Sequence, residues 1–184
     1  MGSMLNAYPA IRFSVQVTGG NAMPYYITEK QSMRIVGVRT PLVQNMEENQ
    51  REIPKFWAAV LSDHRFSEIC HLSNQNPQGI LGISVYVNPQ EIFYYIAVAT
   101  DKPVPQGMFE CVIPEAAWVI FENNGYFKEN VQSVFKKFFT EWLPFSGYEY
   151  AGLPDIEVYP IYHETPISGH SEVWIAIKKK EGDE

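Results

Sequence analysis

Ser171-Glu172-Val173-Trp174-Ile175-Ala176-Ile177, near the end of the chain, and its echo Phe93-Tyr94-Tyr95-Ile96-Ala97-Val98 decide how this sequence folds. Side chains alternate across a strand, so Glu172, Trp174 and Ala176 share one side of the later stretch and Val173, Ile175 and Ile177 the other. The aliphatic side reads as a core face. The opposite side sets a carboxylate beside an indole, a combination that suits an organic cation. Both stretches carry Ile-Ala with an aromatic just before it, which aligns Trp174 with Tyr95 and Glu172 with Phe93 and points to an internal repeat.

The elements around the two stretches follow one order. The first half reads as a strand over 26–40, a helix over about 50–62, a loop rich in Asn and Pro, and strands over 80–87 and 92–99 turned at Asn88-Pro89-Gln90. The second reads as a strand over 108–121, the Asn123-Asn124-Gly125 turn, a helix over about 128–142, and strands over 156–162 and 172–178. The expected fold is α+β, with tandem duplicated strand-helix-strand-strand modules whose antiparallel sheets surround a central ligand groove. One domain spans 24–180, with repeat one over about 24–100 and repeat two over about 107–180. Residues 1–23 hold a weak strand and the turn cluster Thr18-Gly19-Gly20-Asn21, and read as an N-terminal arm or linker. A disordered leader and an arm that pairs with a second subunit in a homodimer are equally consistent with it. Residues 181–184 read as a frayed tail.

Composition excludes several function classes. The chain has 184 residues, 46% of them hydrophobic, enough to bury a core. Fourteen basic against 21 acidic residues give a net charge of -7, the wrong sign for neutralising phosphates along a duplex, so no direct nucleic-acid partner is expected. No apolar run approaches the ~18 residues of a membrane span, and the first residues lack the basic-then-apolar order of a secretory signal. No membrane partner and a cytoplasmic location are therefore expected. Cys70 and Cys111 form no disulfide framework. His64, His71, His163 and His170 show no metal-ligand spacing, and no nucleophile elbow, phosphate loop or dinucleotide fingerprint is present, so neither metal nor cofactor is expected.

The chain resembles the GyrI-like small-molecule-binding domains, also found as effector-binding domains of AraC-type and MerR-type multidrug-responsive regulators. The resemblance covers about 25–178. It is carried by Tyr25-Tyr26-Ile27, Arg34-Ile35-Val36-Gly37-Val38, Ile53-Pro54-Lys55-Phe56-Trp57 and Gly79-Ile80-Leu81-Gly82-Ile83 in the first half. In the second it is carried by Trp118-Val119-Ile120-Phe121, Trp142-Leu143-Pro144-Phe145-Ser146-Gly147-Tyr148, Glu157-Val158-Tyr159 and Glu172-Val173-Trp174-Ile175. It implies a groove glutamate that attracts lipophilic cationic drugs, and the position matching the closing motif of the family is Glu172. Ala176 stands where that motif commonly has proline. No helix-turn-helix accompanies the domain, which favours a stand-alone ligand-binding protein over a regulator.

The candidate ligand-binding residues are Glu172, Trp174, Tyr95, Phe93, Trp118, Tyr159 and Glu157, with no catalytic residue assigned. Taken alone, Glu172 also reads as a solvated strand-end charge, and each aromatic as plain core. Alternation places Glu157 and Tyr159 on one side of their strand, the side that the resemblance points at the groove; an edge charge in water explains Glu157 equally well. The expected function is capture of lipophilic cations in an aromatic groove neutralised by Glu172. Two alternatives stand beside it. One is a hydrolase of strained electrophiles with the same glutamate as general base, and the other is a protein-interaction module like the small gyrase inhibitors.

Overall fold

The computed structural model describes residues 23–123, 131–162, 165–166 and 170–181. Strands β1 (Tyr25–Lys30), β2 (Met33–Leu42), β3 (Ile80–Asn88), β4 (Glu91–Ala99), β5 (Phe109–Ile113), β6 (Ala116–Asn123), β7 (Tyr148–Tyr150) and β8 (Asp155–Tyr159) come first, followed by the short pair β9 (Ile161–Tyr162) and β10 (Thr165–Pro166) and by β11 (Ser171–Lys179). Nine of them make one antiparallel sheet in the order β1-β6-β11-β8-β3-β4-β2-β5, with β7 on the margin of β11. The order reads alike from both ends about the β8–β3 seam: β3, β4, β2, β5 on one side match β8, β11, β6, β1 on the other. The fold is α+β with a duplicated strand order, as the Ile-Ala echo implies.

The single strands expected over 26–40 and 108–121 are each two. β1 and β2 are separated at Gln31-Ser32, and β5 and β6 at Pro114-Glu115, where proline has no N–H to give the ladder. After each break the chain changes partners. β1 pairs with β6 of the second half, with Tyr26 opposite Ile120, and β5 pairs with β2 of the first, with Cys111 opposite Ile35.

Helix α1 (Met46–Leu61) begins four residues earlier than its sequence pattern indicates, because the Asn45 side chain caps it by accepting from the Glu48 N–H at 3.1 Å. A second helix, α2 (Arg65–Leu72), occupies what reads as loop, and turns Phe66 and Ile69 inward. In the second half, α3 (Val131–Lys137) runs into a π turn over Phe138–Trp142 and a 3-10 turn over Leu143–Phe145 that contains Pro144. The strand expected over 156–162 stops at Tyr159, before Pro160. Residues 1–22 of the arm, 124–125 of the expected turn, 128–130 of the expected helix start and 182–184 of the tail lie outside the described residues.

The helices cover one side of the sheet. Trp57, Val60, Phe66 and Ile69 pack on Val36, Val38, Ile96 and Val98 in the first half; Val131, Val134 and Phe138 pack on Val119, Phe121, Val173 and Ile175 in the second. The other side carries one cluster drawn from both halves, with Ile35, Leu81, Ile83, Tyr95, Trp118, Ile120, Ile156 and Trp174, to which no described helix residue contributes. This side, to which strands of both halves contribute, is the inner face of the sheet.

Candidate functional site

Register sets out the inner face. Arg39, Tyr95, Ile83, Ile156, Trp174, Ile120 and Tyr26 stand opposite one another in successive strands and form one row across the sheet. Phe93 packs against the same cluster, and Trp118 and Trp174 meet with ring centroids 6.1 Å apart. Glu172, Trp174, Tyr95, Phe93 and Trp118 therefore share one face. Trp118 is fully buried, and its indole N–H has no hydrogen-bond acceptor among the described residues.

In the second half, the Trp174 Nε1–H donates to Glu172 Oε2 at 2.7 Å, while the Lys30 ammonium lies 5.3 Å from the centroid of the same ring. The indole thus joins a carboxylate at its edge to a cation over its face. Burial raises the pKa of the Tyr26 hydroxyl, with the Glu172 and Glu122 charges adding to the effect, which places Tyr26 beside the same carboxylate. The matching part of the first half is filled differently. The guanidinium of Arg39 lies 4.0 Å from the Phe93 centroid and 4.2 Å from that of Phe109, and its Nη1 donates to the Tyr95 hydroxyl at 3.0 Å. Phe93 and Tyr95 are occupied by the chain's own cation.

Glu157 and Tyr159 lie on the other side of the sheet, contrary to the alternation argument for the groove. Alternation tells which residues share a face but not which face it is. Here Val158 pairs with Glu172 and Glu157 with Val173, so Glu157 and Tyr159 turn toward α1. There the Tyr94 hydroxyl donates to Glu157 Oε2 at 3.2 Å, the Tyr159 hydroxyl donates to the same oxygen, and the Trp57 Nε1–H donates to the Tyr94 hydroxyl at 2.9 Å. Gly82 makes this possible: a Cβ there would come 2.1 Å from the Tyr94 hydroxyl and 3.1 Å from Glu157 Oε2. Among the described residues no salt bridge reaches Glu157. Burial of its carboxylate pushes the pKa up to about 7, against the lowering effect of the two hydroxyls.

Two residues along, Asp155 sits on the same side and accepts from the hydroxyls of Tyr86 and Tyr150, each at 3.2 Å. Burial first, and the nearby Glu157 charge last, raise its pKa to about 7. Sequence reasoning missed Tyr94, Trp57, Asp155, Lys30 and Arg39. The one local signal was Gly82, a glycine inside a strand of otherwise apolar residues. A separate open cleft of about 340 Å³ lies at the end of α2, lined by Cys70, His71, Ser73, Gln78, Gly79 and Pro160 among others, and includes none of the expected site residues. No group of three or more potential metal ligands occurs among the described residues, and no described helix is long and apolar enough to cross a membrane.

Residues 26–177 match the family model for integron-associated effector binding proteins. The chain belongs to that family. This effector binding protein is a small-molecule-binding domain of GyrI-like fold. Its fold is similar to that of a Staphylococcus aureus MU50 protein ascribed to bacterial transcription regulation, with 20% identity, a TM-score of 0.73, and 85% of this chain and 99% of that one covered. It is similar also to SAV2435, solved bound to tetraphenylphosphonium, at 20% identity, a TM-score of 0.74, and 85% and 94% coverage. A third similar structure is the integron cassette protein VCH_CASS2 from the mobile metagenome of Vibrio cholerae, at 14% identity, a TM-score of 0.58, and 84% and 95% coverage. No curated protein sequence matches the chain.

Proposed function

We propose that this effector binding protein captures lipophilic organic cations on the inner face of its sheet, with Glu172 as the neutralising carboxylate and Trp174 as the aromatic floor. One observation carries this: the Trp174 ring already holds the Lys30 ammonium over its face while its N–H is fixed by Glu172. A cation over an indole gains about 0.5 to 2 kcal/mol, more as water is excluded, and a carboxylate nearby adds a charge-assisted term. The half-exposed ring of Tyr26, beside the same carboxylate, supplies apolar area that discriminates little between bulky ligands. The tetraphenylphosphonium found on SAV2435, a protein of similar fold, belongs to this ligand class.

Titration with tetraphenylphosphonium and with neutral triphenylphosphine oxide, followed by tryptophan fluorescence, tests the proposal. Saturable binding that favours the cation is expected, with a loss of about tenfold, or ~1.4 kcal/mol, for the cation alone in Glu172→Gln. Equal losses for both ligands would remove the electrostatic role of Glu172.

A second reading rests on Glu157. A carboxylate with a pKa of about 7, held by two tyrosine hydroxyls, has the proton affinity of a general base at neutral pH, which suits hydrolysis of a strained electrophile. The same titration on Glu157→Gln separates the two. Cation binding that fails in Glu157→Gln and survives in Glu172→Gln moves the ligand to the α1 side; turnover of a strained epoxide that depends on Glu157 establishes the hydrolase.

A further inference from the structure

Arg39 is built unlike its neighbour on the same strand. Arg34 is satisfied within the protein: Nε bonds Glu110 at 2.6 Å, and Nη1 donates to the carbonyls of Thr100 and Lys102 at 3.1 and 2.8 Å. Arg39 has no carboxylate partner among the described residues, and its hydrogen bond there is the one to the Tyr95 hydroxyl. A guanidinium carries five N–H donors in a rigid fork, so most of its donor capacity is unused among the described residues. The fork is nevertheless held in place. Phe93 and Phe109 contact it at 4.0 and 4.2 Å, and Tyr95, itself buried, fixes one nitrogen. Phe109 is 42% exposed and Arg39 and Phe93 are half-buried, so an incoming molecule reaches both the charge and the rings.

We propose that Arg39, with Phe93 and Phe109, is a binding site for the carboxylate of a planar organic acid. Three features fit this ligand class. The unused N–H groups match the two oxygens of a carboxylate, the aromatic contacts restrict the fork so that little side-chain freedom is lost on binding, and the rings give a flat acid apolar surface to lie on. The net charge of -7 gives no general attraction for anions, so recognition is local. The site does not depend on Glu172. By register Arg39 stands four strands from Trp174, roughly 19 Å along the sheet at the usual strand spacing, so an acid here and a cation there are separable events.

Calorimetric titration of 2-naphthoate and its neutral isostere 2-naphthamide into the full chain tests the site. Wild type is expected to bind the naphthoate saturably and at least tenfold more tightly than the amide. Arg39→Gln is expected to abolish that preference, Arg39→Lys to keep only part of it because the fork is gone, and Phe109→Leu to weaken naphthoate several-fold. Retention of tetraphenylphosphonium binding by Arg39→Gln shows that the variant is folded; if wild type itself does not bind that cation, an unchanged circular dichroism spectrum and urea midpoint serve instead. Naphthoate no tighter than naphthamide in wild type, or a preference that survives Arg39→Gln in folded protein, overturns the site. Failure of the phosphonium titration overturns the cation proposal and leaves the acid site standing.

Discussion

Replacing Glu157 by Gln is expected to make the protein more stable at pH 8 while leaving it nearly unchanged at pH 4.5. The carboxylate has a pKa of about 7 in the folded protein against an ordinary value of 4.5. Folding therefore holds a proton that the unfolded chain gives up. Below pH 4.5 both states are protonated and nothing is lost. Between pH 4.5 and 7 the unfolded chain ionises first, so stability falls as pH rises, by up to about 1.4 kcal/mol per pH unit, and levels off above 7. Two and a half units give a ceiling of ~3.4 kcal/mol, and the residue keeps some exposure to water, so ~2 to 3 kcal/mol is the expected penalty. Gln keeps an oxygen for the hydroxyls of Tyr94 and Tyr159 and carries no charge, which removes this share. Asp155 titrates in the same window and in the same direction, so the slope in Glu157→Gln should shrink rather than vanish. Urea unfolding of both proteins at half-unit steps from pH 4.5 to 8 is the assay. Stability that is flat or rises through this window in wild type, or a Glu157→Gln protein less stable at pH 8, would show that the carboxylate is not enclosed as described.

Other substitutions read out single contacts. Trp174→Ala should weaken tetraphenylphosphonium and triphenylphosphine oxide alike, by tenfold or more, since it removes apolar area as well as the ring face; unchanged fluorescence titrations would place ligand elsewhere. Gly82→Ala should destabilise by at least ~2 kcal/mol in urea melts, because its Cβ would overlap the Tyr94 hydroxyl, and a smaller change in a Gly82→Ala, Tyr94→Phe double variant would assign the cost to that contact. Trp57→Phe deletes the N–H donated to Tyr94 and should cost ~1 to 3 kcal/mol, with a null result showing that Tyr94 finds another donor.

The α+β class and its duplication were legible because strands of period two and a repeated aromatic-Ile-Ala are local signals. What local pattern could not show was partner exchange. Gln31-Ser32 is a weak break signal, and although Pro114 marks a break clearly, neither says that the chain then crosses to the other half. Helix α2 was missed because eight residues with Phe66 and Ile69 as its buried pair make too short a period to stand out. At the site, alternation correctly grouped Glu172 with Trp174 and Glu157 with Tyr159. The face of each group is a matter of register between β8 and β11, which no strand discloses by itself. The contacts of Lys30 with Trp174 and of Arg39 with Phe93 join residues far apart in sequence, so they became visible only once the strands were assembled.

The crossing of β1 and β5 gives the chain an interlaced build. Each half lends its first strand to the sheet of the other, so neither half possesses all the strands of its own four-stranded layer. Cut in the stretch between β4 and β5, the two pieces would each carry one strand meant for the other and one exposed margin waiting to be filled. They should therefore reassociate as a complementing pair. The same geometry describes two identical half-length chains embracing by strand swap, and so the present molecule has the form of a swapped homodimer whose subunits have become covalently continuous.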